Sequence, residues 1–278
     1  MSLTLTAVAA PPGRVSLAGL TPDRLAGLTC EQIERLPLAW GRQTLVVADL
    51  FRVAGTPGDT LVIEEPDRRF CALGGGMQSG TFIVVGDAGD LLAQGMTGGR
   101  LQLRGSAGRF AASAMAGGEL LIEGNCGDQL GAPMPWLGAG MAGGRVIVRG
   151  NAGARCGDRM RRGEIYIGGA VAELCATRMV AGTIAVAGAC GAQPAYAMRR
   201  GTLLLLSAAY APGATFVPTA ACLDAYLGLL WRQWARQFAV GSAFGDVARR
   251  ALARALPVQR WMGDLASDGR GEVLAFGA

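Results

Sequence analysis

The chain has no histidine, and all 26 of its basic residues are arginine, so it has no lysine either. Without an imidazole or a side-chain amine, these 278 residues cannot assemble a Ser-His-Asp or Cys-His catalytic set, a His-ligated zinc, a Schiff-base lysine or a complete phosphate-binding loop. Aromatic residues make up only 6 % and charged ones 17 %, yet 51 % of the chain is hydrophobic, which is the balance of an ordered chain with a large core. No apolar run approaches the roughly 18 residues a bilayer needs, and no charged-then-apolar leader opens the sequence, so a cytoplasmic chain without a membrane partner is expected. The seven cysteines, odd in number and scattered, do not read as a secreted disulfide framework.

Glycine is abundant instead, with 44 residues, and it is periodic. Met77, Met96, Met115, Met141, Met160, Met179 and Met198 follow one another at steps of 19 residues, with one step of 26. Three residues after each stands a glycine, from Gly80 to Gly201, and nine after it another, from Gly86 to Gly188, until Ser207 breaks the series. The five residues between have apolar second and fourth members, as in Arg145-Val-Ile-Val-Arg149, which is the period of a strand with one buried face.

Charge selects how these strands pair. Stacked in parallel at a spacing of roughly 4.8 Å, the first strand positions read Arg100, Glu119, Arg145, Glu164 and the fifth Arg104, Glu123, Arg149, so opposite signs face each other. A meander would need hairpin turns of another length, and the left-handed hexapeptide coil wants a period near 18. The expectation is therefore an all-β chain: a right-handed parallel β-helix of about seven 19-residue coils (residues 77–207), a mixed N-terminal cap with irregular first coils (1–76) and a helical C-terminal tail (208–278). The seven extra residues around Ala132 to Gly138 leave the charge ladder in phase, so they bulge from a corner and carry Trp136 outward.

Within the cap, Ser2 to Val8 and the segments 44–53 and 60–64 read as strands, Pro22 opens a short helix behind Thr21, and Thr29-Cys-Glu-Gln32 has the form of a capping box. Cys156 and Cys175, 19 residues apart, fall in one buried column. The recurring Gly-x-x-Gly runs, such as Gly86-Asp-Ala-Gly89, are corners, since a phosphate cradle is not needed five times. Two features remain as candidate sites. Arg159, Arg161, Arg162, Arg178, Arg199 and Arg200 flank the last Met residues where earlier repeats carry small or uncharged residues such as Gly76, Gly95, Gly98, Ala114, Gly117 and Gly140: a solvated face, an anion site or a surface for an acidic partner. Beyond Pro212 and Pro218, Leu223, Leu227, Trp231, Trp234 and Phe238 form a helical stripe, to be covered by the open end of the coil or by another protein, and a second helix follows from Asp246 to about Leu256. We expect Trp231, Trp234 and Phe238 to form a partner interface.

The repeat, the lead-in Asp49-Leu-Phe-Arg-Val-Ala-Gly55, and Leu61-Val-Ile-Glu64 with Leu73-Gly-Gly-Gly-Met-Gln-Ser-Gly80 resemble a family that includes the C-type subunit of formylmethanofuran dehydrogenase and the C-terminal domain of the glutamate synthase large subunit. The likeness covers about residues 49 to 207; the helical tail, 219 to 262, departs from the pattern. Bacterial methylotrophs have a related formyltransferase/hydrolase complex, and the Arg-only, Ala-rich composition suits that branch. The resemblance implies a noncatalytic scaffold subunit beside three partners: an amidohydrolase-type subunit, a formyltransferase subunit and a relative of the molybdopterin-binding subunit. Together these move a formyl group from tetrahydromethanopterin to a methanofuran analogue and release formate. It also implies that zinc, the carrier and the pterin sit on the partners, that this chain holds no catalytic, metal or cofactor residue, and that a glutamate tail on the carrier is one anion the arginines could meet. No nucleic-acid partner is expected. The alternatives are the C-type subunit of a formylmethanofuran dehydrogenase or a free-standing glutamate-synthase-like domain.

Overall fold

The first strand, β1 (Ser2–Ala7), buries Leu3 and Leu5 and leaves its threonines partly exposed. A short strand β2 (Val15–Ser16), helices α1 (Pro22–Leu25) and α2 (Cys30–Glu34), strands β3 (Pro37–Trp40) and β4 (Gln43–Val46), and a helical turn α3 (Val47–Leu50) follow. Strands β5 (Phe51–Gly55), β6 (Thr60–Glu64) and β7 (Phe70–Cys71) lead into the repeat. The capping box of α2 forms, with Gln32 N donating to Thr29 Oγ1 at 3.3 Å and Thr29 N to Gln32 Oε1 at 2.8 Å. The strand expected over residues 44–53 is interrupted because the Asp49 carboxylate accepts from Val46 N at 2.8 Å and starts the turn of α3. Thr21 precedes α1 without a side-chain capping bond. This computed structural model describes residues 2–206, 213–219, 224–254 and 256–276; Ser207, Pro212 and Leu223 lie outside the described residues.

The seven repeat segments give β8 (Thr81–Val85), β9 (Arg100–Leu103), β10 (Ala116–Ile122), β11 (Ala142–Val148), β12 (Arg162–Ile167), β13 (Thr183–Val186) and β14 (Thr202–Leu205). Neighbours pair in parallel, Arg100 opposite Glu119, Glu119 opposite Arg145 and Arg145 opposite Glu164. Arg100 Nε lies 3.3 Å from Glu119 and Arg145 Nε 2.9 Å from Glu164. These pairs are part-exposed, so each contributes only about 0.2–1 kcal/mol; their larger effect is on register, because a slip by one residue sets each charge opposite an apolar side chain of the next strand and loses the pair.

After the repeat come β15 (Val217–Pro218), α4 (Asp224–Gln237), α5 (Ala243–Ala253), β16 (Val258–Gly263), a 3-10 turn (Leu265–Ser267) and β17 (Gly271–Phe276). One 13-stranded sheet runs in the order β15-β16-β17-β14-β13-β12-β11-β10-β9-β8-β6-β1-β5. It is parallel through the middle and antiparallel at both edges, where β5 pairs with β1 and β15 and β16 pair beside β17.

This topology corrects the expected fold class: the chain forms a mixed 13-stranded sheet, and a right-handed parallel β-helix with a helical tail is not what it builds. Two physical reasons stand out. The stretches returning between repeat strands make only single parallel bridges, Ala88 to Ala107 to Cys126 to Ala152 to Val171 to Cys190. Beyond them, positions 14, 16 and 18 after a Met have positive φ, as at Leu91, Ala93 and Gly95 or at Leu174, Ala176 and Arg178, an alternation that no pleated strand can hold. Among the described residues of the tail, helix is confined to α4, α5 and the 3-10 turn; the rest supplies strands that add to the sheet, with Thr202 opposite Glu272 and Val273 opposite Trp261.

Each layer is locked to the next by the residues that define the repeat. All seven Met side chains are fully buried, and the glycine three residues on has φ between +80° and +110°. A Cβ on Gly163 would lie 2.8 Å from Met141 Cε and 2.7 Å from Gly144 O, and the same crowding recurs at Gly99, Gly118, Gly144, Gly182 and Gly201. The methionine of one layer thus occupies the space that a side chain would need in the next. Along a neighbouring corner, Asp87 Oδ1 accepts from Ser106 N, Ser106 Oγ from Asn125 N, Asn125 Oδ1 from Asn151 N and Asn151 Oδ1 from Ala170 N, at 2.7 to 3.1 Å. The Ser106 N–H and then the Arg68 guanidinium hold the Asp87 carboxyl below its usual range.

Gly163→Ala should lower stability by about 2–4 kcal/mol, since left-handed strain and overpacking add. Gly95→Ala, at φ +63° but with no atom within 4 Å of the new Cβ, should cost about 1 kcal/mol. Urea unfolding midpoints read the difference, and equal losses would mean that Met141 does not fill the site.

Candidate functional site

Arg159 and Arg178 stand one residue before a Met, Arg161 and Arg199 one after, and Arg162 and Arg200 two after, so the backbone ladders stack them on one corner. Arg161 N and Arg199 N donate to Met141 O and Met179 O, each at 2.8 Å, which places these two arginines two layers apart, about 10 Å. The structure separates the six by environment. Arg178 is committed to a structural pair, both ends of its guanidinium bonding Asp158, whose carboxylate is buried; Nε donates at 2.9 Å. Arg161, Arg162, Arg199 and Arg200 are exposed, Arg159 is half-buried, and none of these five makes an ion pair with a described residue.

The tail supplies a seventh arginine. Arg270 N donates to Arg199 O at 2.7 Å, which brings the exposed Arg270 into the layer beside Arg199 and Arg200. Its role was hidden in the sequence because the pairing of β17 with β14 was not read there. Apolar side chains stand among these cations: Val180 between Arg161 and Arg199, Tyr196 two residues before Met198, and Leu265 in the turn that follows Asp264, whose N–H donates to Met198 O. Trp136 belongs to the same corner. The inserted segment leaves the stack after Gly131, buries Ala132 and Met134, and rejoins at Gly140, whose N–H donates to Arg159 O.

Trp231, Trp234 and Phe238 are placed differently from the arginines, and within the chain itself. They are buried against the outer face of the sheet, where the third residues of the strands, Tyr166, Ala185 and Leu204, are joined by Leu274 of β17. The Tyr166 ring meets Trp234, Phe238 and Phe244 edge-on at centroid distances of 5.6, 5.1 and 5.4 Å. The stripe therefore covers the flank of the sheet, a third arrangement beside the end cap and the partner contact considered from sequence. The missed signal was the apolar third strand position of Leu121, Ile147, Tyr166, Ala185 and Leu204. Where the helices end, a groove of about 810 Å³ opens over Leu121 and Ile147, beside Phe238, Phe244, Arg100 and Arg149.

The buried Cys175 thiol interacts with those of Cys156 and Cys190, and burial pushes the Cys126 thiol up to about 12. These cysteines are free, and among the described residues no group of three Cys, Asp or Glu side chains is placed to hold a metal ion. Among the described residues, no helix is long and apolar enough to cross a membrane.

No protein-family model matches the chain. A curated relative, the C-type subunit of the formyltransferase/hydrolase complex Fhc of Methylorubrum extorquens, is 38 % identical over 81 residues, 29 % of this chain and 31 % of that protein. This match spans about a third of the relative's length. A chain of the crystal structure of the formyltransferase/hydrolase complex (FhcABCD) from Methylorubrum extorquens in complex with methylofuran superposes with a TM-score of 0.90, at 35 % identity, over 99 % of this chain and 100 % of that chain. The chain belongs to the family of C-type subunits of the formyltransferase/hydrolase complex. The aligned share takes in α4, α5 and the tail strands, so the segment that departs from the repeat pattern is part of what this family member shares with its solved relative.

Two outcomes are expected for this family member. Trp234→Ala should cost about 3–5 kcal/mol in the isolated chain, because it empties the middle of the aromatic cluster; a change under about 1 kcal/mol in urea unfolding would show that the helices are not held by it. Alkylation of the native chain at pH 8 should spare the buried Cys126, Cys156 and Cys175 until denaturant is added, as peptide mass spectrometry would report.

Proposed function

We propose that this chain is the noncatalytic structural subunit of a formyltransferase/hydrolase complex, which moves a formyl group from tetrahydromethanopterin to a methanofuran analogue and releases formate in one-carbon oxidation. The observation that carries the reading is the likeness over the whole fold to a chain of such a complex, in a sequence with neither histidine nor lysine to perform acyl transfer. In this reading the partners are an amidohydrolase-type subunit holding zinc, a formyltransferase subunit and a molybdopterin-subunit relative, all in the cytoplasm. The carrier and the pterin bind to those chains, and this one contributes a rigid, layered surface.

A tagged copy expressed in its own cells should bring down a formyltransferase and two further subunits, and the chain purified alone should hydrolyse no formylated carrier. Recovery of flavin or iron–sulfur proteins in their place would favour the glutamate-synthase-like alternative. Formyl hydrolysis by the isolated chain would contradict the noncatalytic role.

A further inference from the structure

We propose that the corner carrying Trp136 and the unpaired arginines is the surface by which this chain docks a second protein subunit, one that presents an apolar pocket ringed by carboxylates. The inference rests on the reading of the chain as part of a complex and names the face and the partner's chemistry. Its first support is how the fold treats stacked charge elsewhere. Where the sheet stacks charged side chains on its face, signs alternate and pairs form, as in Arg100, Glu119, Arg145 and Glu164. Along the neighbouring corner, Arg14 and Arg109 share Asp90, and Arg68 pairs with Asp87. On the Met corner, Arg161, Arg162, Arg199, Arg200 and Arg270 are exposed and none forms an ion pair with a described residue. Of the two described carboxylates within two residues of Arg270, Glu272 pairs with Arg260 and Asp268 makes no ion pair with it. Cations gathered without counter-charge repel one another in the free chain, and carboxylates brought by a partner would relieve that repulsion.

The second support is independent of charge. Trp136 is 73 % exposed, Tyr196 54 %, Leu265 54 % and Val180 36 %, and all four lie on or beside this corner. Trp136 is not a side chain left over by a loose loop. Met134, two residues earlier, is buried and Leu137 N donates to Met134 O at 2.8 Å, so a hydrogen-bonded turn anchored in the core presents the indole to solvent. Aromatic and arginine side chains together, with charge-paired residues excluded, are the composition of an interface centre, and an exposed Trp is the strongest single anchor. A small polyanion would use the arginines and leave Trp136, Val180 and Leu265 without a role, which is why a protein surface is favoured.

The test uses the tagged full chain in its native cells, with four variants: Trp136→Ala, Arg161→Glu with Arg162→Glu, Arg199→Glu with Arg200→Glu, and Arg42→Glu as an exposed control in the turn between β3 and β4. Partner recovery after size exclusion should fall at least about tenfold for the first three and stay unchanged for the control, with the melting temperature of each isolated variant near wild type. The Trp136 loss should persist at every salt concentration, whereas wild-type recovery should weaken as salt rises. Full recovery with all three variants would overturn the assignment. Full recovery combined with lost binding of a polyglutamate peptide, used as a probe of the isolated chain, would overturn it in favour of an anion site. A wild-type chain that recovers no partner at all would instead overturn the reading as part of a complex, on which the assignment rests.

Discussion

The stacking of one 19-residue layer on the next depends on a single steric relation: a buried methionine whose methyl group fills the place where the following layer's glycine has no side chain. Gly99, Gly118, Gly144, Gly163, Gly182 and Gly201 all have positive φ and all stand against the Met of the preceding layer. Gly271 continues the relation with Met198, although no methionine repeat leads into it. Strand register, the pairing of charges on the face and the column of Asp87, Ser106, Asn125 and Asn151 at the corner follow from that spacing. Each of these would fail if the layers slipped by one residue, because the alternation of inner and outer side chains would invert.

Much of this was legible from residues alone, because the features that set it recur at a fixed interval. The parallel register could be read from Arg100, Glu119, Arg145 and Glu164, and the outward bulge at Trp136 from an insertion that left those charges in phase. The return path could not. Leu91, Phe110, Gln129 and Leu174 adopt left-handed backbone angles that such residues disfavour by about 1–2 kcal/mol, so nothing in their identity announces the turn. The cost is offset by hydrogen bonds between layers, Leu91 N to Arg109 O and Ala93 N to Leu73 O, whose existence depends on the layers already being stacked. The tail strands were missed for a related reason: Val258-Gln-Arg-Trp-Met-Gly263 and Gly271-Glu-Val-Leu-Ala-Phe276 carry no clean polar–apolar alternation, and only the open side of β14 makes them part of the sheet.

The candidate site was half legible. The arginine corner was visible as a run of cations flanking the last methionines, but its parts differ in use: Arg178 holds buried Asp158, while Arg270, absent from the pattern, joins from the tail. The tryptophan stripe was seen and its cover was not, since the apolar third position of the strands looks unremarkable until Tyr166, Ala185 and Leu204 are aligned on one outer face. That outer cover removes Trp231, Trp234 and Phe238 from the exposed surface and leaves Trp136 as the most exposed aromatic among the described residues.

The central claim, that this chain acts through one cation-and-aromatic corner and not through chemistry of its own, is tested most directly by hydroxyl-radical footprinting of the free chain against the native assembly. The account predicts that Trp136, Tyr196 and Leu265 lose reactivity on assembly while Val8, Val85 and Leu252, exposed on other parts of the chain, keep theirs. Unchanged oxidation at Trp136 and Tyr196, with protection appearing at the other residues, would contradict it.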